Sequence, residues 1–290
     1  MKNAKPFVIK VITPLHAGSG QDLGIVDLPI QRERHTSYPK IEASGLKGAI
    51  RDNFRKSPEA NEHLDLIFGP EKSGDHAGAL GFTDARILLF PVKSVKGLFA
   101  WVTCNDVLKK FKTDLELCEI EVDFDIPIIS DGECIVTENS TLKINNNAVV
   151  LEEYAFNISD KKVDEKLLKF LEDFTAINNL KDQLLILSND DFKDFVNLAT
   201  EVITRTKINP KTGTVATGQL FTEEYLPAES VMYSLAIPSS IFVKQEKKEN
   251  FLSGKDDKEA IMDYWKKNAP KVMQIGGNAT IGKGIVEIVK

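Results

Sequence analysis

The chain has 290 residues, 42% hydrophobic and 28% charged, with a net charge of −6. That length suits one core with large insertions, or about two domains, and the composition is that of an ordinary globular protein. No apolar run approaches a membrane span, and the acidic balance excludes a protein that coats nucleic acid with its whole surface.

The charge is uneven: residues 1–56 carry +5 and the remainder −11, so one basic face on an acidic body is expected. Phe7 to Thr13, rich in β-branched residues, is predicted as a strand buried on both faces. It reads as a first strand, not a signal peptide, and a cytoplasmic protein is expected. After Pro14 a glycine-bearing loop carries Asp27 in the apolar run Gly24–Ile30, followed by Arg32, Arg34, His35, Lys40, Lys47 and Arg51. Two readings of Asp27 stand side by side: a turn cap in a surface loop, or a reactive carboxylate beside a polyanion. The apolar neighbours of Asp27 are expected to hold its loop against the body, with the carboxyl at its ordinary pKa.

Ser44 is placed as the N-cap of a helix that buries Leu46, Ile50 and Phe54. Its opening, Ser44–Gly48, is either an ordinary capped helix or a phosphate seat made of free N–H groups, a hydroxyl and Lys47. Glu59–Phe68 is predicted as a short helix ended by Gly69–Pro70, and residues 71–79, with Gly74, His76 and Gly78, as a mobile loop. Strands are expected at Gly81–Phe90 and Leu98–Cys104, and a helix at Asn105–Leu117. The acids from Asp114 to Glu133, with no base among them, read as a solvated face turned away from nucleic acid. Short strands or loops follow to Glu153, with a turn at Asn145–Asn147. A helix is predicted at Lys162–Phe174, a strand at Gln183–Leu187, and a helix at Asp190–Ala199 capped by Asn189.

Thr200–Lys207 and Gln219–Tyr225 flank Asn209-Pro210-Lys211-Thr212-Gly213, which predicts a projecting β-hairpin. From Arg205 to Thr222 it holds bases and no acid, which fits either a phosphate-contacting arm or a hairpin made soluble by lysines. Tyr225–Ile237 returns to strand pattern, 244–258 reads as a charged loop, and Lys258–Lys267 as a helix. The chain closes on a glycine-rich loop between two strands. Its Gly277–Gly284 stretch nearly matches a Walker A loop, but Gly284 replaces the magnesium-holding hydroxyl and too few residues follow for the required helix. Such a loop still lets backbone approach a phosphate chain beside Lys283. Cys104, Cys118 and Cys134 are too scattered for a disulfide framework or zinc site.

Taken together, these motifs resemble the RAMP superfamily of CRISPR RNA-binding proteins. The resemblance rests on I-E-A-S-G-L-K-G-A-I-R at Ile41–Arg51 and G-G-N-A-T-I-G-K-G at Gly276–Gly284. His16–Gly20, Gly24–Arg32 and Tyr225–Ser234 look more closely like the repeating backbone subunit of type III-B (Cmr) effectors. The resemblance implies an α+β fold: a single RAMP domain over 1–290 with a discontinuous, ferredoxin-like (RRM-related) palm and helical lid insertions. A catalytic loop or lid would span 14–43, a β-hairpin thumb 200–225, and a strand–glycine loop–strand 271–290. It also implies copies stacked along a guide crRNA with other Cmr subunits, each copy cutting the paired single-stranded target RNA once, with Mg or Mn. The family's catalytic aspartate falls on Asp27, also the implied metal ligand; His16 and Glu229 fall in matching segments. RNA-binding positions are expected at Gly18, Arg32, Ser44, Lys47, Arg51, Lys207, Gly276, Gly277, Gly282, Lys283 and Gly284. A non-cutting backbone subunit and an unrelated ferredoxin-like enzyme are the alternatives. No motif matches over roughly 110–200.

Overall fold

The computed structural model describes residues 1–22, 24–71, 76–144 and 147–290. Gly74 and part of the predicted 71–79 loop, and Asn145 and Asn146 of the predicted turn, lie outside the described residues. The first strand, β1 (Lys5–Val11), buries Phe7, Val8, Ile9 and Val11, as an apolar run covered on both faces should. After it come β2 (Lys40–Ile41), α1 (Ala43–Lys56), the short α2 (Pro58–Asn61) and α3 (Leu64–Phe68), β3 (Leu80–Phe82), β4 (Ala85–Lys93) and β5 (Phe99–Cys104). The middle of the chain supplies α4 (Asn105–Leu117), β6 (Glu133–Val136), β7 (Ala148–Leu151), β8 (Tyr154–Ile158), α5 (Glu165–Thr175), α6 (Leu180–Gln183), β9 (Leu184–Leu187) and α7 (Asn189–Leu198). Last come β10 (Glu201–Ile208), β11 (Val215–Tyr225), β12 (Val231–Pro238), α8 (Gln245–Leu252), α9 (Asp257–Asn268), β13 (Val272–Gln274) and β14 (Ile285–Val289).

One large mixed sheet runs β13–β14–β1–β12–β4–β5–β9–β6–β8–β7, with β2 beside β4 and β3 beside β12. β1 lies antiparallel between β12 and β14, so the N-terminal strand is locked by two strands from the far end of the chain. The β10–β11 hairpin forms its own two-stranded sheet. Helices α1 and α9 close the core through aromatic contacts: Phe54 stacks on Trp265 at 6.1 Å, and Phe7 meets Trp265 edge-on at 5.3 Å. Truncating a buried ring of this kind costs about 3–5 kcal/mol.

Several local expectations are corrected by tertiary contacts. The segment 244–258 is not all loop: α8 forms because Lys248 reaches the Asp257 carboxylate at 2.9 Å and Leu252 is buried. Asp114 is not solvated, being 2% exposed and held by Tyr233, Lys110 and Arg86 at 2.9, 2.7 and 3.2 Å. Three donors compensate its burial. Ser188, not Asn189, caps α7 by accepting from the Asp191 N–H. The strand expected at Gly81–Phe90 breaks after Phe82, and Asp84 turns to accept from the Ala43 N–H at 2.9 Å.

Candidate functional site

Three separated segments meet at the base of the hairpin: the loop after β1, the end of β11, and the glycine loop before β14. Leu15 and Leu226 exchange backbone hydrogen bonds of 2.9 and 2.8 Å, seating the first loop against the end of β11. The next residue, His16, places Nδ1 2.7 Å from the Glu224 carbonyl oxygen. A carbonyl can only accept, so the proton is on Nδ1 and Nε2 faces Glu223 Oε1 at 3.6 Å. Gly276 makes the approach of the third segment possible. Its φ is +81°, and a Cβ there would lie 2.2 Å from the His16 carbonyl oxygen, the atom that accepts from the Gly277 N–H. Gly18 leaves space for the imidazole, since a Cβ would come within 2.6 Å of Nε2.

Glu223 sits at the centre of this cluster and is 5% exposed. Tyr225 Oη and Arg205 Nε donate to one of its oxygens and Asn278 Nδ2 to the other. Burial by itself would raise its carboxyl, but hydrogen bonds from Tyr225 and Asn278, with His16 and Arg205 close by, hold it below the ordinary range. Lys283 lies over the Tyr225 ring at 4.9 Å, and the Arg205 guanidinium is 5.7 Å from the same ring. The glycine loop, the hairpin and His16 therefore form one cationic and aromatic corner around a buried carboxylate.

Asp27 meets β11 one position earlier, at Thr222. Its apolar neighbours divide: Ile25 is 100% exposed, while Val26 and Leu28 are half-buried and Ile30 is buried in the core, anchoring the loop as the sequence suggests. Hydrogen bonds hold the carboxylate itself. Asp27 Oδ2 accepts from the Thr222 N–H at 2.7 Å and from the Thr222 hydroxyl at 2.9 Å, while the Asp27 N–H donates back to that hydroxyl at 3.0 Å. Leu28 N–H donates to Thr222 O, and Glu224 N–H to Leu28 O, both at 3.0 Å. The carboxyl is consequently below its ordinary value of 3.8, first through the Thr222 backbone N–H and then through its hydroxyl. It is an exposed, ionised group. Along a strand successive side chains alternate, so Thr222 and Glu223 project to opposite faces of β11.

The other sequence-selected positions fall in different places. Ser44 is not the N-cap of α1: the helix starts at Ala43, whose N–H is taken by Asp84, and Ser44 is an exposed residue of the first turn. Gly45 and Ala49 line a groove of about 530 Å³ with His16, Gly18, Gly276 and Gly277. At about 100° per residue, Lys47 and Arg51 lie on the other flank of α1. There Arg51 is 3.5 Å from Asp65, its Nε is buried without a hydrogen-bond partner among the described residues, and Lys47 has its pKa lowered by burial and by Arg51. Arg32 is committed internally, donating to Ser37 O, Val196 O and Glu224 Oε1. Lys207 is exposed on β10, and Gly282 and Gly284 have φ of +75° and +73° in the glycine loop. Glu229 is an exposed turn residue whose backbone meets Val11 and Trp101, and no contact joins it to the His16 cluster among the described residues. The acid that meets His16 is Glu223, which the sequence reading passed over. Its available signal was the Glu223–Tyr225 alternation closing a hairpin whose bases all lie on the opposite strand and in the turn.

Among the described residues no group of His, Cys, Asp and Glu side chains is assembled to hold a metal ion, and no helix is long and apolar enough to cross a membrane. Asp27 fits a divalent ion only as a single ligand, because Oδ2 already accepts from Thr222 and Oδ1 alone is left.

The fold belongs to a known class: residues 8–287 match the RAMP superfamily, and the chain belongs to it. The particular likenesses are narrower. The chain is 41% identical over 288 residues to the CRISPR system Cmr endoribonuclease Cmr4 of Pyrococcus furiosus, covering 96% of this chain and 92% of that protein. It superposes with a TM-score of 0.74 and 32% identity on the crystal structure of oligomeric Cmr4 from Pyrococcus furiosus, covering 99% and 96% of the two chains. A chain in the cryo-EM structure of the type III-B Cmr-beta complex bound to cognate target RNA shares the fold, with a TM-score of 0.77 at 24% identity over 99% and 96% of the chains.

Proposed function

We propose that this chain is the target-cleaving backbone subunit of a cytoplasmic type III-B CRISPR effector. Copies of it bind a guide crRNA, stack with other Cmr subunits, and each cuts the complementary target RNA once, giving regularly spaced cuts. The observation that carries the reading is the exposed, ionised Asp27 clamped to the base of a basic hairpin. Likeness to an endoribonuclease along nearly the whole chain supports it. The strand order β14–β1–β12–β4, all antiparallel, with α1 after β1 and α9 after β12, supports a ferredoxin-like palm. The middle insertion then serves as the lid and the β10–β11 hairpin as the thumb.

RNA supplies its own nucleophile, so the site has little covalent work to do. The 2′-oxygen bonds to the adjacent phosphorus as the bond to the 5′-oxygen breaks. The 2′-proton leaves with a base and the 5′-oxygen takes up a proton, which yields a cyclic phosphate and a 5′-hydroxyl. Asp27 Oδ1, the carboxylate oxygen left by Thr222, is the group that orients or deprotonates the 2′-hydroxyl. Lys283, Arg205 and His16 lie with Glu223 on the other face of β11, so their charge is set toward neighbouring phosphates of the bound RNA. Stacked A-form geometry is not in line, so the hairpin's part is to displace a base at the cut. Where Mg or Mn takes part, Asp27 would be its protein ligand, and the ion would add charge stabilisation at the phosphate. Arg51, with a buried nitrogen lacking a partner, and Lys47 are the cations set toward the guide's phosphates. Target pairing to the guide reads sequence, leaving the protein to bind shape and phosphates.

The test is Asp27→Asn in the assembled, guide-loaded complex. Target binding is expected to be unchanged, with cleavage lost at every site. Cutting at close to the wild-type rate would overturn the assignment and favour a subunit that binds without cutting through this residue.

A further inference from the structure

The bonds between Asp27 and Thr222 form a closed arrangement whose direction is fixed by donor chemistry. The Asp27 N–H can only donate, so at 3.0 Å it makes the Thr222 hydroxyl oxygen an acceptor. The hydroxyl's single proton is then directed to Asp27 Oδ2 at 2.9 Å, and the Thr222 N–H reaches the same oxygen at 2.7 Å. Both bonds converge on one carboxylate oxygen, which fixes the plane of the group and turns Oδ1 outward.

The position of Thr222 in the hairpin explains why its backbone is free to do this. Thr222 stands opposite Thr204 in the antiparallel register of β10 and β11. In such ladders, facing residues alternate between pairs that exchange hydrogen bonds and pairs that do not. Thr222 gives its N–H to Asp27 and its C=O to Leu28, so its backbone points away from β10 and receives the Asp27 loop as a short third strand. The loop's far end is anchored separately, by the buried Ile30, whose N–H donates to Glu224 Oε2 at 2.9 Å, and by the Ser19 N–H on Pro29 O at 3.0 Å, while both bonds received by the Asp27 carboxylate come from Thr222. The carboxylate therefore takes its position from the hairpin.

We propose that Thr222 is the positioning residue for Asp27, making the hairpin and the cutting carboxylate one rigid unit, so that the cut is registered to the hairpin. This rests on the reading of Asp27 as the cleaving group. Orientation errors on the order of 1 Å cost as much as 100-fold in rate, so the loss of the hydroxyl bond should be visible in the chemical step.

The experiment compares Thr222→Ser, Thr222→Cys and Thr222→Val with Asp27→Asn, all in guide-loaded complexes, by single-turnover cleavage and target affinity. Serine keeps the hydroxyl, cysteine offers a weaker donor, and valine keeps the shape without a donor. The expected rates fall in the order serine, cysteine, valine, with serine near wild type. Valine should be roughly 10- to 100-fold slower, with cuts spread onto neighbouring phosphodiesters and target affinity unchanged. A valine variant that cuts at the wild-type rate and position, while Asp27→Asn is inactive, overturns the positioning role and leaves the Asp27 reading intact. An active Asp27→Asn overturns that reading itself. Loss of target affinity or of assembly in the valine variant, with serine and cysteine equal in rate, also overturns the proposal, since Thr222 would then be a binding or folding residue.

Discussion

Substituting Gly276 by alanine tests whether the glycine loop is shaped by contact with His16 or merely by its own turn. The added Cβ meets two penalties. At φ +81° an L-residue is strained by roughly 1–2 kcal/mol. The Cβ would also sit 2.2 Å from the His16 carbonyl oxygen, a backbone atom that cannot rotate away, so the loop must withdraw. Withdrawal breaks the 2.9 Å bond from the Gly277 N–H to that oxygen, worth about 0.5–1.5 kcal/mol. The sum is about 1.5–3.5 kcal/mol. Gly282→Ala is the matched control, because its φ is +75° but nothing lies within 4 Å of its Cβ, leaving only the strain. At about 2–4 °C per kcal/mol for a large domain, Gly276→Ala should lower the melting temperature by roughly 3–14 °C and Gly282→Ala by about 2–8 °C, with Gly276→Ala the lower of the two by the lost bond. Differential scanning calorimetry of the two purified variants reads the difference. Equal melting temperatures would refute the claim that His16 and the glycine loop are in obligatory contact. Because the displaced carbonyl belongs to His16, Gly276→Ala complexes should also cut more slowly than Gly282→Ala complexes.

The hairpin should be separable from the rest of the fold. Replacing residues 208–215 by a tight turn removes exposed residues whose strands pair with each other, so guide binding should persist while target cuts are lost or misplaced; normal cuts by the trimmed complex would refute the thumb reading. Asp84 makes a pH prediction. Although burial would raise its carboxyl, the Ala43 N–H and Lys40 outweigh it and depress the folded pKa below 3.8. A depressed folded pKa contributes stability that is present above the unfolded value and is lost as pH falls through the folded one. Asp84→Asn should therefore cost about 1–2 kcal/mol in urea unfolding at pH 7, by weakening the cap of α1 and leaving Lys40 with Glu42 alone, and the gap should close below pH 3.8. A gap that does not narrow in acid would refute it.

Periodic elements were the legible part of this fold. α4 spans Asn105–Leu117 as its pattern dictates, and β9 and α9 differ from expectation by a residue or so at their ends. Patterns of this kind are local, and burial follows from them directly. What the sequence hid were exchanges between distant segments. Asp84 replaces the expected cap at Ser44, Asp114 goes inside because Arg86 and Tyr233 meet it there, and α8 forms where charge density suggested a loop.

The site divides along the same line. Asp27 stood out as a lone acid ahead of a basic run, and the glycine loop by its composition, since both signals lie within one short stretch. Glu223 did not, because its role exists only once His16, Arg205 and Asn278 surround it, and those residues come from the two ends of the chain and the far strand of the hairpin. Glu229 shares the motif-bearing segment but turns outward, since its φ of +68° redirects the chain into β12. With Thr222 holding Asp27, and the neighbouring Glu224 carbonyl accepting from His16 Nδ1, β11 holds both groups, so any movement of the hairpin base reaches both together. That coupling is a property of one strand, and under the proposed function it would tie the shape of a bound RNA to the act of cutting it.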